Sequence, residues 1–167
     1  MSGAFYKRLF IGGTILCCSL SSWAESPAHE LSPKLIRVLS SADKATLYSL
    51  EPDAIPLPGQ PVFGRYEILG KVELNQKQTK IATDAFRNAV APWNGILPNC
   101  FDPRQALRIV ANHHVYEFVL CFQCGQLIIS EDDKDVAWVQ AGGSPDALNA
   151  LFKEAHVPIS HSGTAAQ

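Results

Sequence analysis

Residues 106–130 read ALRIVANHHVYEFVLCFQCGQLIIS, and the fold turns on how this stretch is parsed. Apolar and polar residues alternate over Ala106–Ala111 and again over Val115–Phe122, the period of a half-buried strand. Asn112, His113 and His114 separate the two runs, which is hairpin spacing, and Leu107 and Ile109 face the same way. The second run feeds straight into the turn Cys121–Phe122–Gln123–Cys124–Gly125, and Leu127–Ser130 continues as a third strand. An acidic turn, SEDDKD over Ser130–Asp135, then leads to a fourth short strand at Val136–Gln140. Strands that follow one another by tight turns predict antiparallel pairing rather than βαβ units.

Working outward, Lys44–Leu50 alternates and carries β-branched and aromatic members, so a strand is expected there. Pro52, Pro56, Pro58 and Pro61 make residues 51–62 an extended loop. Gly64–Leu74 resumes the strand pattern, with Tyr66, Ile68, Val72 and Leu74 on one face and Gly70 as a bulge point. Lys77–Ala91 has helical periodicity, its stripe formed by Ile81, Ala85, Phe86, Ala89 and Val90, and Pro92 ends it. A short helix over 33–41 starts with Ser32 as N-cap and Pro33 at N1, with Leu35, Ile36 and Leu39 on one face. The closing helix, 144–155, has Ser144 as N-cap, Pro145 at N1, and Leu148, Leu151, Phe152 and Ala155 at helical spacing. The fold expected is a single α+β domain, residues 43–160, with a mostly antiparallel sheet covered on one face by helices 77–91 and 144–155. Residues 25–42 form a lead-in with the short helix, and 161–167 a disordered tail.

The first 24 residues have the parts of a secretory signal: Lys7 and Arg8, an apolar run from Leu9 to Leu20, then small residues. Ser22 and Ala24 place cleavage before Glu25. The apolar run is shorter than the roughly 20 residues a membrane-spanning helix needs. That length makes a retained anchor a weaker fit, and a lipid-bearing Cys17 or Cys18 is weaker still, because Leu16 or Cys17 would occupy the small-residue position before it. The sequence therefore predicts export to a periplasmic or extracellular space, with no transmembrane segment after cleavage. Of the 14 basic residues, Lys7 and Arg8 leave with the signal, so 12 remain against 16 acidic ones and the net charge moves from −2 to −4. Such mild acidity gives no footprint for nucleic acid.

Cys17 and Cys18 also leave with the signal, so of five cysteines Cys100, Cys121 and Cys124 remain. Three cysteines in an oxidising compartment imply one bridge with a free thiol, an intermolecular bridge, or a metal site. The plainest reading is a structural disulfide, Cys100–Cys121 or Cys100–Cys124, closing a loop of just over 20 residues and contributing about 3 kcal/mol by chain entropy. A zinc site is the alternative: CxxC brings two thiolates to one side of a turn, Cys100 is a third ligand, and His113, His114 or Asp102 would supply a fourth. A redox disulfide is also chemically possible, although a thioredoxin-type CxxC opens a helix, whereas this one leads into a strand. Simple buried thiols complete the range.

Other polar clusters invite blander readings. The His113–His114 pair belongs to a solvated hairpin tip. Glu131, Asp132, Asp133 and Asp135 lack the glycine and the distal glutamate of a calcium loop. Arg104 suits a surface salt bridge. No phosphate-binding glycine loop, nucleophile elbow or HExxH is present, so no catalytic residue is assigned.

Cys100–Phe101–Asp102–Pro103–Arg104, followed by Cys121–Phe122–Gln123–Cys124, resembles a group of exported bacterial proteins with a CFxPRH…CFxC pattern and no assigned activity. The resemblance extends to ATLYSLEP, YEILGKVEL and the closing LFKEAHVPI, and so covers most of the mature chain. It implies a shared fold and export, and it lends no activity. Where the pattern has histidine this chain has Gln105, a poor zinc ligand, which puts a family metal site in doubt here.

Two functions follow as expectations. One is an exported non-catalytic domain, a binding or envelope-associated module with structural cysteines and no cofactor. The other is a metal-binding or thiol-redox protein acting through Cys100 and the Cys121–Cys124 turn, with zinc as the cofactor.

Overall fold

The computed structural model describes residues 30–42, 44–92, 95–96 and 99–160. The expected signal segment 1–24, the first part of the expected lead-in and the expected tail 161–167 lie outside the described residues. The elements in chain order are α1 (Pro33–Ser40), β1 (Ala45–Glu51), β2 (Val62–Phe63), β3 (Tyr66–Leu74) and α2 (Gln76–Asn88). They continue with β4 (Gln105–Ala111), β5 (His114–Cys121), β6 (Gln126–Glu131), β7 (Lys134–Gln140) and α3 (Asp146–Glu154).

The seven strands form one sheet in the order β2-β3-β1-β4-β5-β6-β7, with every neighbouring pair antiparallel. The expected α+β class and antiparallel sheet are therefore present. β4 to β7 form a meander of tight hairpins. At two tips, Asn112–His113 (φ 52° and 67°) and Asp132–Asp133 (φ 49° and 64°), both residues are left-handed. That is the two-residue turn whose twist matches the flanking strands, and Asn and Asp tolerate it best. The first hairpin loop is thus shorter than expected, and His114 is the first residue of β5. β1 lies between β3 and β4 and is antiparallel to both, so β3 and β4 run parallel. Helix α2 and the segment after it make the crossover between them.

One large hydrophobic cluster unites buried residues of all three helices (Leu35, Leu39, Phe86 and Phe152 among them) with Leu47, Leu107, Phe118 and Ile129 from the strands. Phe86 meets Phe118 edge-on at 6.2 Å between ring centroids. A smaller cluster is built from Tyr48, Leu50, Phe63 and Ala106, with Tyr66, Ile68 and Val119 packed against it. Arg108 lies over the Tyr48 and Phe63 rings at 5.2 and 5.0 Å and pairs with Glu117 at 2.5 Å.

Several local expectations need correcting. The bulge expected at Gly70 is present, Ser49 pairing with Gly70 and Leu50 with Ile68 so that Leu69 of β3 is the extra residue, but its effect on the faces of the strand was not expected. As a result Val72 and Leu74 join the large cluster while Tyr66 and Ile68 pack on the small one, so the four do not share a face. Gly70 is required by a close approach: a Cβ there would sit 2.8 Å from Val157 Cγ1. The strand expected over 64–74 is present as β3; what was not expected is β2, Val62–Phe63, which pairs with its start through a turn at Gly64 with φ 58°. In α1 Val38 is buried and Ile36 is exposed, and in α2 Thr79, Ala82, Thr83 and Phe86 are buried while Ile81 is exposed. The contact stripe of each helix is rotated from the one inferred, because residues i, i+3, i+4 and i+7 set it rather than the most apolar side chains. Ser32 caps α1 as expected, accepting from the Leu35 N–H at 3.3 Å. α2 opens with a capping box between Asn75 and Gln78. At α3 the cap position is Pro145, one residue later than inferred, and Ser144 Oγ accepts from the Asp146 N–H at 3.2 Å.

Candidate thiol site

The segment entering β4 carries Cys100, and a web of short-range bonds fixes it. Tyr66 donates its hydroxyl to the Phe101 carbonyl at 3.0 Å, and the two rings meet edge-on at 6.4 Å. The Leu50 N–H donates to the Arg104 carbonyl at 3.0 Å, and Gln126 Nε2 donates to the Cys100 carbonyl at 3.5 Å. Arg104 spans the site: Nη1 lies 3.4 Å from both the Asp102 carbonyl and Gln123 Oε1, and Nη2 lies 3.8 Å from the Asp53 carboxylate.

The second half of the site is the β5–β6 turn. Its backbone closes through the Gly125 N–H to the Phe122 carbonyl at 3.3 Å, with Gly125 left-handed at φ 65°. The Ala141 N–H then donates to the Gly125 carbonyl at 2.9 Å, tying the turn to the end of β7. This tight turn sets the Cα atoms of Cys121 and Cys124 5.2 Å apart, within the range a disulfide takes, and the two are bridged.

All three sequence-predicted cysteines therefore converge. Cys100 is exposed and free, while Cys121 and Cys124 retain 1% and 5% of their surface. Cys100 Sγ stands 3.4 Å from Cys124 Sγ. Two backbone donors point at the buried sulfurs: the Cys124 N–H to Cys121 Sγ at 3.0 Å and the Asp102 N–H to Cys124 Sγ at 3.2 Å. Such N–H groups stabilise negative charge on sulfur.

The pairing differs from the expectation. The bridge lies inside CxxC, and Cys100 is left out of it, because the turn holds Cys121 and Cys124 at bridging distance before any long-range loop need close. The motif does join two strands rather than open a helix.

His113 and His114 do not reach the cysteines. His114 opens β5 and Cys121 ends it, seven residue steps away, which is about 23 Å along a strand. Neither histidine can be the fourth ligand of a site at Cys100, Cys121 and Cys124. His114 instead bonds Asp132 through Nδ1 at 2.6 Å and lies 3.6 Å from Glu131. Glu131 in turn accepts from Lys34 at 2.6 Å and from the Tyr116 hydroxyl at 3.0 Å. The Lys34 ammonium holds the Glu131 carboxyl below its ordinary range, and the Val115 N–H does the same for Asp132. The acidic turn is therefore partly a fastening point for α1 and β5, not a merely solvated loop.

Near the sulfurs, Asp102 is the residue placed to ligate: its carboxylate, Cys100 Sγ and Cys124 Sγ lie within 4.8 Å of one another. Zinc needs at least three protein donors. With Cys121 and Cys124 bridged, only the Cys100 thiolate and the Asp102 carboxylate remain, so the bridged form does not fit zinc. Reduction would release two further thiolates and give a Cys₃Asp set that does. Gln105, at the position where the resembling pattern has histidine, is buried and donates to Asn149 Oδ1 at 3.1 Å. A cleft of about 390 Å³ opens beside the site, lined by Asp102, Arg104, Gln105, Phe122, Gln123 and Asn149 among others. Sequence reasoning missed Arg104 and Gln126 as the ties between the two halves, since nothing in their spacing signals it.

Among the described residues no helix is long and apolar enough to cross a membrane. Compared with known protein families, with curated proteins and with solved structures, the chain matches none.

Proposed function

We propose that this chain is an exported α+β module, its helices laid over one face of the sheet, whose function is thiol–disulfide exchange at Cys100, Cys121 and Cys124. The observation that carries the reading is an exposed free thiol 3.4 Å from a sulfur of a buried disulfide. A purely structural role explains this arrangement poorly. Closing a four-residue loop contributes about 2 kcal/mol by chain entropy, against about 3 kcal/mol for either long closure that was available. A structural bridge also gives no reason for a third sulfur to be held in contact. Export supports the reading, because such a compartment keeps disulfides in use.

The reading is tested by mapping the native protein after alkylation without reductant. One label on Cys100 and a peptide linking Cys121 to Cys124 is expected, with both buried cysteines becoming labelled under mild reductant while the fold persists. A bridge that opens only on unfolding would overturn it.

A second reading has its own support in the Asp102 carboxylate. The reduced cluster, three thiolates and one carboxylate, would bind zinc, and addition of zinc to reduced protein would then protect all three thiols from alkylation. Full labelling in the presence of zinc excludes that reading.

A further inference from the structure

Resting on the exchange function just proposed, we infer that Cys100 is the relay through which cysteinyl thiols in solution reach the buried bridge, and that the cluster alternates between two disulfide registers. A thiolate from outside has no direct route, since Cys121 and Cys124 are 1% and 5% exposed. Cys100 has both requirements of a relay: its residue is exposed, and its sulfur touches Cys124 Sγ at 3.4 Å.

The chemistry balances without an added oxidant. The Cys100 thiolate attacks Cys124 Sγ; the Cys100–Cys124 bond forms, the Cys121–Cys124 bond breaks, and the electron pair leaves on Cys121. The Cys124 N–H, 3.0 Å from Cys121 Sγ, is in place to stabilise that thiolate, which then takes up the proton Cys100 had lost. This step conserves one disulfide and one thiol, and it exchanges an exposed thiol for a buried one. A solution thiolate next attacks Cys100 Sγ and forms a mixed disulfide there. The pair now leaves on Cys124, where the Asp102 N–H stands 3.2 Å away. A second solution thiol attacks the outer sulfur of the mixed disulfide and frees Cys100. Two solution thiols have then lost two electrons and two protons, and Cys121 and Cys124 have gained them as two thiols. Each departing sulfur thus has its own backbone donor, an arrangement a single static bridge does not require.

The experiment treats folded, oxidised protein with reduced glutathione, quenches with acid at intervals, alkylates and maps the peptides. Wild type is expected to show glutathione on Cys100 in step with the appearance of Cys121 and Cys124 as free thiols, and none on Cys121 or Cys124. Cys100→Ala should open its bridge at least about tenfold more slowly, since an adjacent thiol acts at high effective concentration. Cys121→Ala should isolate the second register as a Cys100–Cys124 bridge. Wild-type protein alkylated at Cys100 while folded gives the same comparison with no substitution, should Cys100→Ala fail to fold. Opening at the wild-type rate without a free Cys100, with glutathione on Cys121 or Cys124, overturns the relay and leaves the exchange function standing. A wild-type bridge that glutathione does not open in folded protein overturns both.

Discussion

Replacing Tyr66 by Phe removes one oxygen atom and asks what holds the free thiol against the bridge. The Tyr66 hydroxyl donates to the Phe101 carbonyl at 3.0 Å, one residue from Cys100, and the ring itself packs beside Phe101 and against the Tyr48–Leu50–Phe63 cluster. Phenylalanine keeps the ring contacts, so the loss is that of one neutral, part-buried hydrogen bond, about 1 kcal/mol. For a domain of this size that lowers Tm by about 4 °C, and urea unfolding at constant m-value gives the free energy directly. The same 1 kcal/mol lowers the equilibrium constant for seating the segment against Cys124 about fivefold, so bridge opening through Cys100 slows by at most that factor. The assay pair is therefore equilibrium unfolding and glutathione-driven opening on one variant. A stability loss with an unchanged opening rate would refute the claim that this hydroxyl seats Cys100. No change in either would show that the bond contributes nothing.

Phe118→Ala tests the large cluster, where Phe118 is fully buried and meets Phe86 edge-on. A loss of about 3–5 kcal/mol is expected in urea unfolding, and a loss under 1 kcal/mol would mean the cluster is not packed as described. Gly125→Ala puts a Cβ 3.2 Å from the Ala141 carbonyl oxygen on a residue with φ 65°, so it should destabilise by about 1–2 kcal/mol and shift the Cys121–Cys124 pairing toward Cys100–Cys124, read by peptide mapping. Glu131 and Asp132 titrate below their ordinary values of 4.5 and 3.8 in the folded chain, so the unfolded state binds more protons there. Their stabilisation is complete above those values and is lost as pH falls through the lower folded ones. Lys34→Ala removes the largest cause of the Glu131 shift and should flatten the loss of stability measured between about pH 5 and 3, whereas an unchanged slope would contradict the assignment.

The hairpin half of the fold was legible because its signals are local. Alternation over 106–122 and the glycine and Asx residues at the turns act within ten residues, and they place β4, β5 and β6 nearly where the structure has them. What escaped depends on contacts far apart in sequence. Which face of α1 and α2 is buried depends on the crossing geometry, so Ile36 and Ile81 misled by being apolar yet exposed. The bulge itself was expected at Gly70, but the change of face that moves Tyr66 and Ile68 onto another cluster depends on how β3 pairs with β1.

The site divides in the same way. Cys121 and Cys124 share a turn, so their proximity follows from spacing alone. Cys100 was expected beside them as the remaining cysteine, but that it stands there unbridged, seated by the bonds of Tyr66, Gln126 and Arg104 to its segment, has no sequence signature. His113 and His114 were attractive as ligands by residue type, but a strand is rigid, and its length puts them at the far end of β5.

The measurement that tests the central claim most directly is an equilibrium titration of the folded protein in glutathione buffers, with acid-quenched alkylation counting thiols and circular dichroism following the fold. The account predicts one two-electron transition, from a single alkylatable thiol to three, with the native spectrum kept throughout. Thiols that stay locked until the spectrum collapses would contradict it and would make Cys121–Cys124 a structural bridge.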